Sequence, residues 1–137
     1  MITLYGVFVN SKKVPYARMI VDGVKKFETR GKNVLRRLIG HRVAIVETGN
    51  GSPMIVGFVT IDGADFFCSD AWEKIGRQLA CVPKNSEYDD HGRGKWMYKL
   101  IDPFALHTPI KLPANAIRHG RSYCEFFADE LSINNNK

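Results

Sequence analysis

The sequence lacks most of the features that mark a secreted, membrane-bound or metal-dependent protein. It has three cysteines, Cys68, Cys81 and Cys124, an odd number without C-x-x-C spacing. That argues against a disulfide framework and for a reducing compartment, so the expected localisation is cytoplasmic. Residues Met1 to Asn10 contain no basic segment followed by an apolar stretch and a small-residue cleavage site. The longest apolar run, Met54 to Val59, is far too short to span a bilayer, and no membrane partner is expected. The histidines, at 41, 91, 107 and 119, form no i, i+3 or i, i+4 pair, so neither a metal site nor a cofactor is expected. Asp89-Asp90-His91 reads as a polar loop. A serine nucleophile elbow and a glycine-rich phosphate loop are also missing, since Gly49-Asn50-Gly51 precedes a strand and not a helix.

What remains is an ordinary globular composition with an excess of positive charge. Of 137 residues, 45% are apolar and 25% charged, which suits one domain. We place that domain over residues 1–130, with a disordered tail over 131–137 that holds three consecutive asparagines. The net charge of +6 favours a polyanion such as nucleic acid as partner, although a merely soluble basic protein carries the same charge.

The hydrophobic pattern gives short strands with few helices. Residues 2–9, 26–30, 42–48, 54–62, 95–101 and 122–127 read as strands, and 49–53 as a hairpin turn. Pro15 suits the first turn of a helix whose apolar face is Tyr16, Met19 and Ile20. A turn of helix is expected at Val34 to Leu38. A second helix is expected from Asp70 to Ala80, with Trp72, Ile75 and Leu79 as its apolar stripe and Gly76 weakening it. Pro83 to Gly94 is a long polar connection, either functional or poorly ordered, and Pro109 and Pro113 mark loops. No regular strand–helix–strand rhythm appears. The expected class is therefore α+β, a small mixed barrel with two or three short helices.

The most specific stretch is Gly23-Val24-Lys25-Lys26-Phe27-Glu28-Thr29-Arg30, which reads G-x-K-x-x-E-x-R. On a strand, Glu28 and Arg30 share one face, with Phe27 and Thr29 on the other. With Phe27 as the core anchor, Glu28 and Arg30 point outward and line a cleft. As a solvated pair they would contribute at most about 1 kcal/mol. Gly23 supplies the left-handed residue that ends the first helix. The strand at 95–101 places Trp96, Tyr98 and Leu100 on a core face and Lys95, Met97 and Lys99 on a solvated back.

With Tyr16-Ala17 at the helix start, this motif resembles that of the ASCH family. Lys95 to Leu100 and Thr108-Pro109-Ile110 are similar to that family's closing strand and the turn after it. The resemblance runs over about residues 2 to 127. It implies a PUA-like β-barrel and a link to RNA, with the motif lining a concave site. Lys25 and Arg30 then contact phosphate or base edges, Glu28 reads a donor or orients Arg30, and Tyr16 or Trp96 stacks a base. Lys32, Arg36, Arg37 and Arg42, with His41 among them, are the phosphate-contact candidates. Arg118, His119 and Arg121 form a second basic patch. Relatives in the wider family include amidohydrolases that deacylate modified cytidine, and members that cleave RNA. The deacylases carry Thr where this chain has Glu28, and Thr29 faces the other side of the strand. Three readings follow. The first is an RNA- or nucleotide-binding domain. The second is a hydrolase acting on RNA or a modified nucleoside, with Lys25 and Glu28 as acid–base pair. The third is a protein-interaction module without a nucleic-acid ligand.

Overall fold

A computed structural model describes residues 2–131 of the chain, so the tail expected over 131–137 falls, except for Leu131, outside the described residues. Seven strands form one mixed sheet: β1 (Thr3–Asn10), β2 (Phe27–Arg30), β3 (Arg42–Thr48), β4 (Met54–Phe67), β5 (Lys95–Lys111), β6 (Ile117–His119) and β7 (Tyr123–Phe127). Their order across the sheet is β2-β5-β4-β3-β1-β7-β6, with β1 parallel to β3 and every other pairing antiparallel. The sheet does not close, which corrects the barrel expectation. Edge strand β2 has only four residues and edge strand β6 three, and no backbone ladder joins them. A side chain laces the opening instead: Arg30 Nη2 of β2 donates to the Phe8 carbonyl of β1 at 2.7 Å.

Both long strands run beyond the expected ends at 62 and 101. They do so by absorbing irregularities. The β4–β5 register shifts near Ile55, Phe58 and Ile61, and Asp102 takes φ +51° where β5 holds an extra residue. Pro109 sits within one of these shifts and not in a loop.

The helices are few and short. In α1 (Tyr16–Val21), Tyr16, Ala17, Ile20 and Val21 are buried on the main core, beside Val7, Ile45, Val59 and Tyr98. Pro15 stands one residue before the helix, and the Ser11 hydroxyl accepts the Ala17 N–H at 3.0 Å in the first turn. The segment expected as one helix over 70–80 is α2 (Ser69–Ala71), a π-helical turn (Trp72–Gly76) and α3 (Arg77–Leu79). Its expected stripe is corrected. Trp72, Gly76 and Ala80 are buried, while Ile75 and Leu79 are exposed. Packing sets this choice, because a Cβ on Gly76 would lie 2.9 Å from the Trp72 ring and 3.0 Å from Phe67. Gly76 is what allows the indole to close down, and not simply a weak point.

Trp72, Ala80, Val82 and Met97 make a satellite core on the outer side of β2 and β5, and Phe27 packs there. Phe27 is thus anchored away from the main core. Glu28, expected to face outward, is 7% exposed because its face of β2 looks into the molecule beside Tyr98.

Candidate functional site

The site begins where α1 ends. Gly23 takes φ +80°, and the N–H groups of Val24 and Lys25 both donate to the Met19 carbonyl at 2.9 Å. This tight exit turns Lys25 inward, where it is 2% exposed. Its Nζ donates to the Ala80 carbonyl and lies 5.0 Å over the centre of the Tyr16 ring. Three residues on, Arg30 Nη1 meets Glu28 Oε2 at 2.5 Å, and the Thr29 N–H donates to Glu28 Oε1 at 3.2 Å. Tyr16, Lys25, Glu28 and Arg30 surround an inner pocket of about 40 Å³, completed by Asn10, Val82 and Tyr88.

Electrostatics at this pocket follow from burial and neighbours. Burial lowers the Lys25 pKa, opposed by the nearby Glu28 carboxylate. Burial pushes Glu28 upward, yet Arg30 and Lys25 together hold its carboxyl below the ordinary range. Tyr16 and Tyr88 are both raised by burial and then by neighbouring carboxylates, so both keep their protons at neutral pH. The pocket therefore offers an ionised carboxylate and an amine that gives up its proton more readily than usual, walled by two protonated tyrosines.

The inner pocket opens into a larger cleft of about 480 Å³, with Asn10, Thr29, Arg30 and Tyr88 common to both. Its walls add Phe8 and Thr48 from the ends of β1 and β3, Lys95 at the start of β5, and Arg118 and Arg121 around the β6–β7 turn. It occupies the opening between β2 and β1. Lys95 is 9% exposed and its pKa is lowered by burial. The Arg118 guanidinium lies 5.1 Å over the Phe8 ring.

The proposed phosphate-contact set is not brought here. Lys32, Arg36, Arg37 and Arg42 are all exposed, and none lines either cavity. The parallel β1–β3 register explains this. Thr48 pairs with Asn10 at the cleft, whereas Arg42 starts β3 six residues away, about 20 Å along the strand. Arg42 donates instead to the Asp102 carbonyl at 2.7 Å. Trp96 also lies outside both cavities, and its half-buried ring packs edge-on against Phe66 at 5.6 Å. In place of these residues stand Lys95, set aside as a solvated back, and Arg118 and Arg121 of the second basic patch. Arg118 and Arg121 on either side of His119-Gly120, at a turn where Gly120 takes φ +62°, were the available signal.

Tyr88 was missed because it lies in the polar connection. That connection is ordered by two carboxylates. Asp89 accepts from Trp72 Nε1 at 2.7 Å, Arg77 Nε at 3.0 Å, and the N–H groups of Asn85 and Asp90. Burial raises the Asp89 pKa, but these donors outweigh it and hold the carboxyl far below its usual value. Asp90 accepts the Gly92 and Gly94 N–H groups at 3.1 and 2.9 Å. The pair thus fixes the loop that carries Tyr88 and Lys95. Among the described residues, no group of three or more His, Cys, Asp or Glu converges as a metal site, and no helix is long and apolar enough to cross a membrane.

No family-level sequence profile and no curated protein matches the chain in sequence. Similarity appears in three dimensions. The crystal structure of the ASCH protein from Zymomonas mobilis aligns with a TM-score of 0.67 at 20% identity, covering 92% of this chain and 89% of that one. A serine-to-alanine mutant of it aligns at 0.70 with 18% identity, over 92% and 89% of the two chains. A tyrosine-to-phenylalanine mutant gives 0.70 and 19%, over 92% and 91%. With G-x-K-x-x-E-x-R leading into edge strand β2 at a concave site, the chain has the fold of the ASCH domain.

Proposed function

We propose that the cleft binds RNA or a nucleotide. The observation that carries this reading is the convergence of Arg30, Lys95, Arg118 and Arg121 on one concavity whose inner end is lined by an ionised carboxylate, Glu28, together with Tyr16 and Tyr88. Phosphate oxygens suit the outer guanidinium and ammonium groups, while Glu28 accepts from a ring N–H or an exocyclic amine. The inner pocket is too small for a base, so it takes only a protruding group. Arg30 is already held by Glu28 and the Phe8 carbonyl, which makes Glu28 its orienting partner as well as an acceptor. The cleft volume falls in the range of ordinary small-ligand sites. A binding screen of the purified protein against RNA oligomers and nucleosides tests the reading. Affinity for phosphate-bearing members is expected, and a response to no member would overturn it.

A second reading, hydrolysis of RNA or a modified nucleoside, is favoured by one observation. Lys25 is buried beside an ionised Glu28 with its pKa depressed, the condition under which a lysine serves as a base. Turnover would then rise with pH through the lowered Lys25 pKa, because the neutral amine is the active form. A flat pH profile, or no turnover of any ligand that binds, removes this reading.

A further inference from the structure

Among the described residues two lysines are buried, Lys25 and Lys95, and their amines are engaged differently. Lys25 donates to the Ala80 carbonyl and has the Glu28 carboxylate nearby. Lys95 is 9% exposed, yet no described residue gives its amine a hydrogen bond or an ion pair. A charge withdrawn from water is normally paired, so an unpartnered lysine at this depth calls for a reason. Its amine is not sealed into the protein either. Ser86 Oγ is the one fully enclosed side-chain polar atom left without a partner among the described residues, and the cavity that Lys95 lines is the cleft.

The backbone fixes Lys95 in this position. Gly94 before it takes φ +78° and donates to Asp90 Oδ2 at 2.9 Å, and a Cβ on Gly94 would fall 2.4 Å from the Phe67 carbonyl oxygen. Lys95 itself pairs with Phe67 of β4. On its other side the β2–β5 ladder ends with Arg30 opposite Trp96, and the next residue of that edge is Gly31. No heavy atom beyond its chain neighbours stands within 4 Å of where a Gly31 Cβ would be, so the space there is cleft and not packing. Burial lowers the Lys95 pKa, the Glu28 carboxylate opposes this and Arg30 adds to it. A lysine desolvated beside another cation is the kind that offers an unprotonated amine to a carbonyl carbon. Arg118 and Arg121, exposed on the β6–β7 turn, wall the same cleft of about 480 Å³ with guanidinium forks suited to phosphate.

We propose that Lys95 forms an imine with the aldehyde of a phosphorylated sugar, the base-free counterpart of a nucleotide, whose phosphate is held by Arg118 and Arg121. This rests on the phosphate-binding half of the cleft reading above. The neutral Lys95 amine adds to the aldehyde carbon and forms the C–N bond. The carbonyl π pair moves to oxygen, which takes a proton from the nitrogen. The resulting hydroxyl then departs as water with the remaining N–H proton, and the nitrogen lone pair closes the C=N bond. Neither an oxidant nor a reductant is consumed. Lys25 is the poorer candidate because its amine is already bonded to Ala80.

The test incubates the protein with ribose 5-phosphate and cyanoborohydride, which reduces an imine to a stable secondary amine, and locates the adduct by peptide mass spectrometry. Lys95 is expected to be labelled ahead of the exposed Lys12, Lys13 and Lys99. Unphosphorylated ribose should label it about tenfold more slowly, since a charge-assisted bond to phosphate is worth about that much in affinity. Arg121→Ala should narrow this difference. The adduct is mapped on the wild-type chain, so the result does not depend on a Lys95 variant that folds. Labelling of Lys25 in place of Lys95, labelling spread evenly over the exposed lysines, or equal rates with ribose and its phosphate would overturn the imine. Excess AMP should protect Lys95. Nucleotide binding without a Lys95 adduct removes the imine and leaves the cleft reading standing. A phosphate-dependent Lys95 adduct that AMP does not protect does the reverse, keeping the imine and removing the nucleotide.

Discussion

Glu28 decides more than any other residue here, because it is buried yet charged. Its carboxylate faces Arg30 at 2.5 Å and shares the pocket with Lys25, so removing its charge leaves two cations with less compensation. The side chain of Arg30 is 20% exposed, which discounts the cost from that of a fully buried pair. Glu28→Gln is expected to destabilise the fold by about 1–3 kcal/mol in chemical denaturation. An unchanged midpoint would show that water already compensates the cations. The pH dependence has a definite sign. A carboxyl whose folded pKa is depressed contributes stability that is present above the unfolded value, about 4.3, and lost as pH falls through the folded value. The stability difference between wild type and Glu28→Gln should therefore be constant near neutrality and shrink below about pH 4. The alternation of side chains along 27–30 was legible in the sequence and Glu28 and Arg30 do share a pocket, but which face is interior was not. Nothing local says that a satellite core stands ready to take Phe27 on the far side of the strand.

At the scale of elements, tertiary contact overrides local propensity most clearly at Gly76. In an exposed helix, Gly→Ala stabilises by about 1 kcal/mol. Here the added Cβ would approach Trp72, Phe67 and Met97 at 2.9, 3.0 and 3.2 Å, so crowding wins. Gly76→Ala is expected to cost about 1–3 kcal/mol and to shift the fluorescence of Trp72, and a stabilised variant would show that the indole simply yields. Helix existence was readable from Trp72 and its neighbours, but its buried face was not, because the π-turn re-phases the residues that follow. The same limit applies to β4 and β5. Their continuation depends on pairing with each other through register shifts, which no single-strand pattern encodes. The polar connection 83–94 carried a readable warning in its length. Its order comes from contacts of Asp89 with Trp72 and Arg77, residues of another element.

Over the whole molecule, the net charge of +6 favours a polyanion as partner but does not say where on the surface the cations gather. The densest run of basic residues, around Arg36, Arg37 and Arg42, lies away from the cleft. The cleft's cations are instead gathered from β2, β5 and the β6–β7 turn. That distribution sets a quantity. Arg30 is largely neutralised by Glu28, which leaves Lys95, Arg118 and Arg121 to displace counterions. The logarithm of affinity for single-stranded RNA against the logarithm of salt should then have a slope of about −2, at roughly −0.7 per phosphate contact. A slope near zero would argue for an uncharged ligand. A slope beyond about −4 would mean that the distant basic run takes part.

The pairing of Thr3 with Phe127 has a consequence for how the protein is made. On the ribosome, β1 emerges first and can find β3 early, but its other edge must wait for β7, near the far end of the chain. A contact of such long sequence separation forms late and slows folding. Arg118 and Arg121 arrive with that later segment, so a nascent chain has the Lys25–Glu28–Arg30 end of the cleft before it has the end walled by these two arginines. In pulse-labelled hydrogen exchange during refolding, the amides that join β1 to β7 should gain protection after those that join β3 to β4. Until they do, the N-terminal strand carries an unpaired edge, an opportunity for a chaperone or for another copy of the chain.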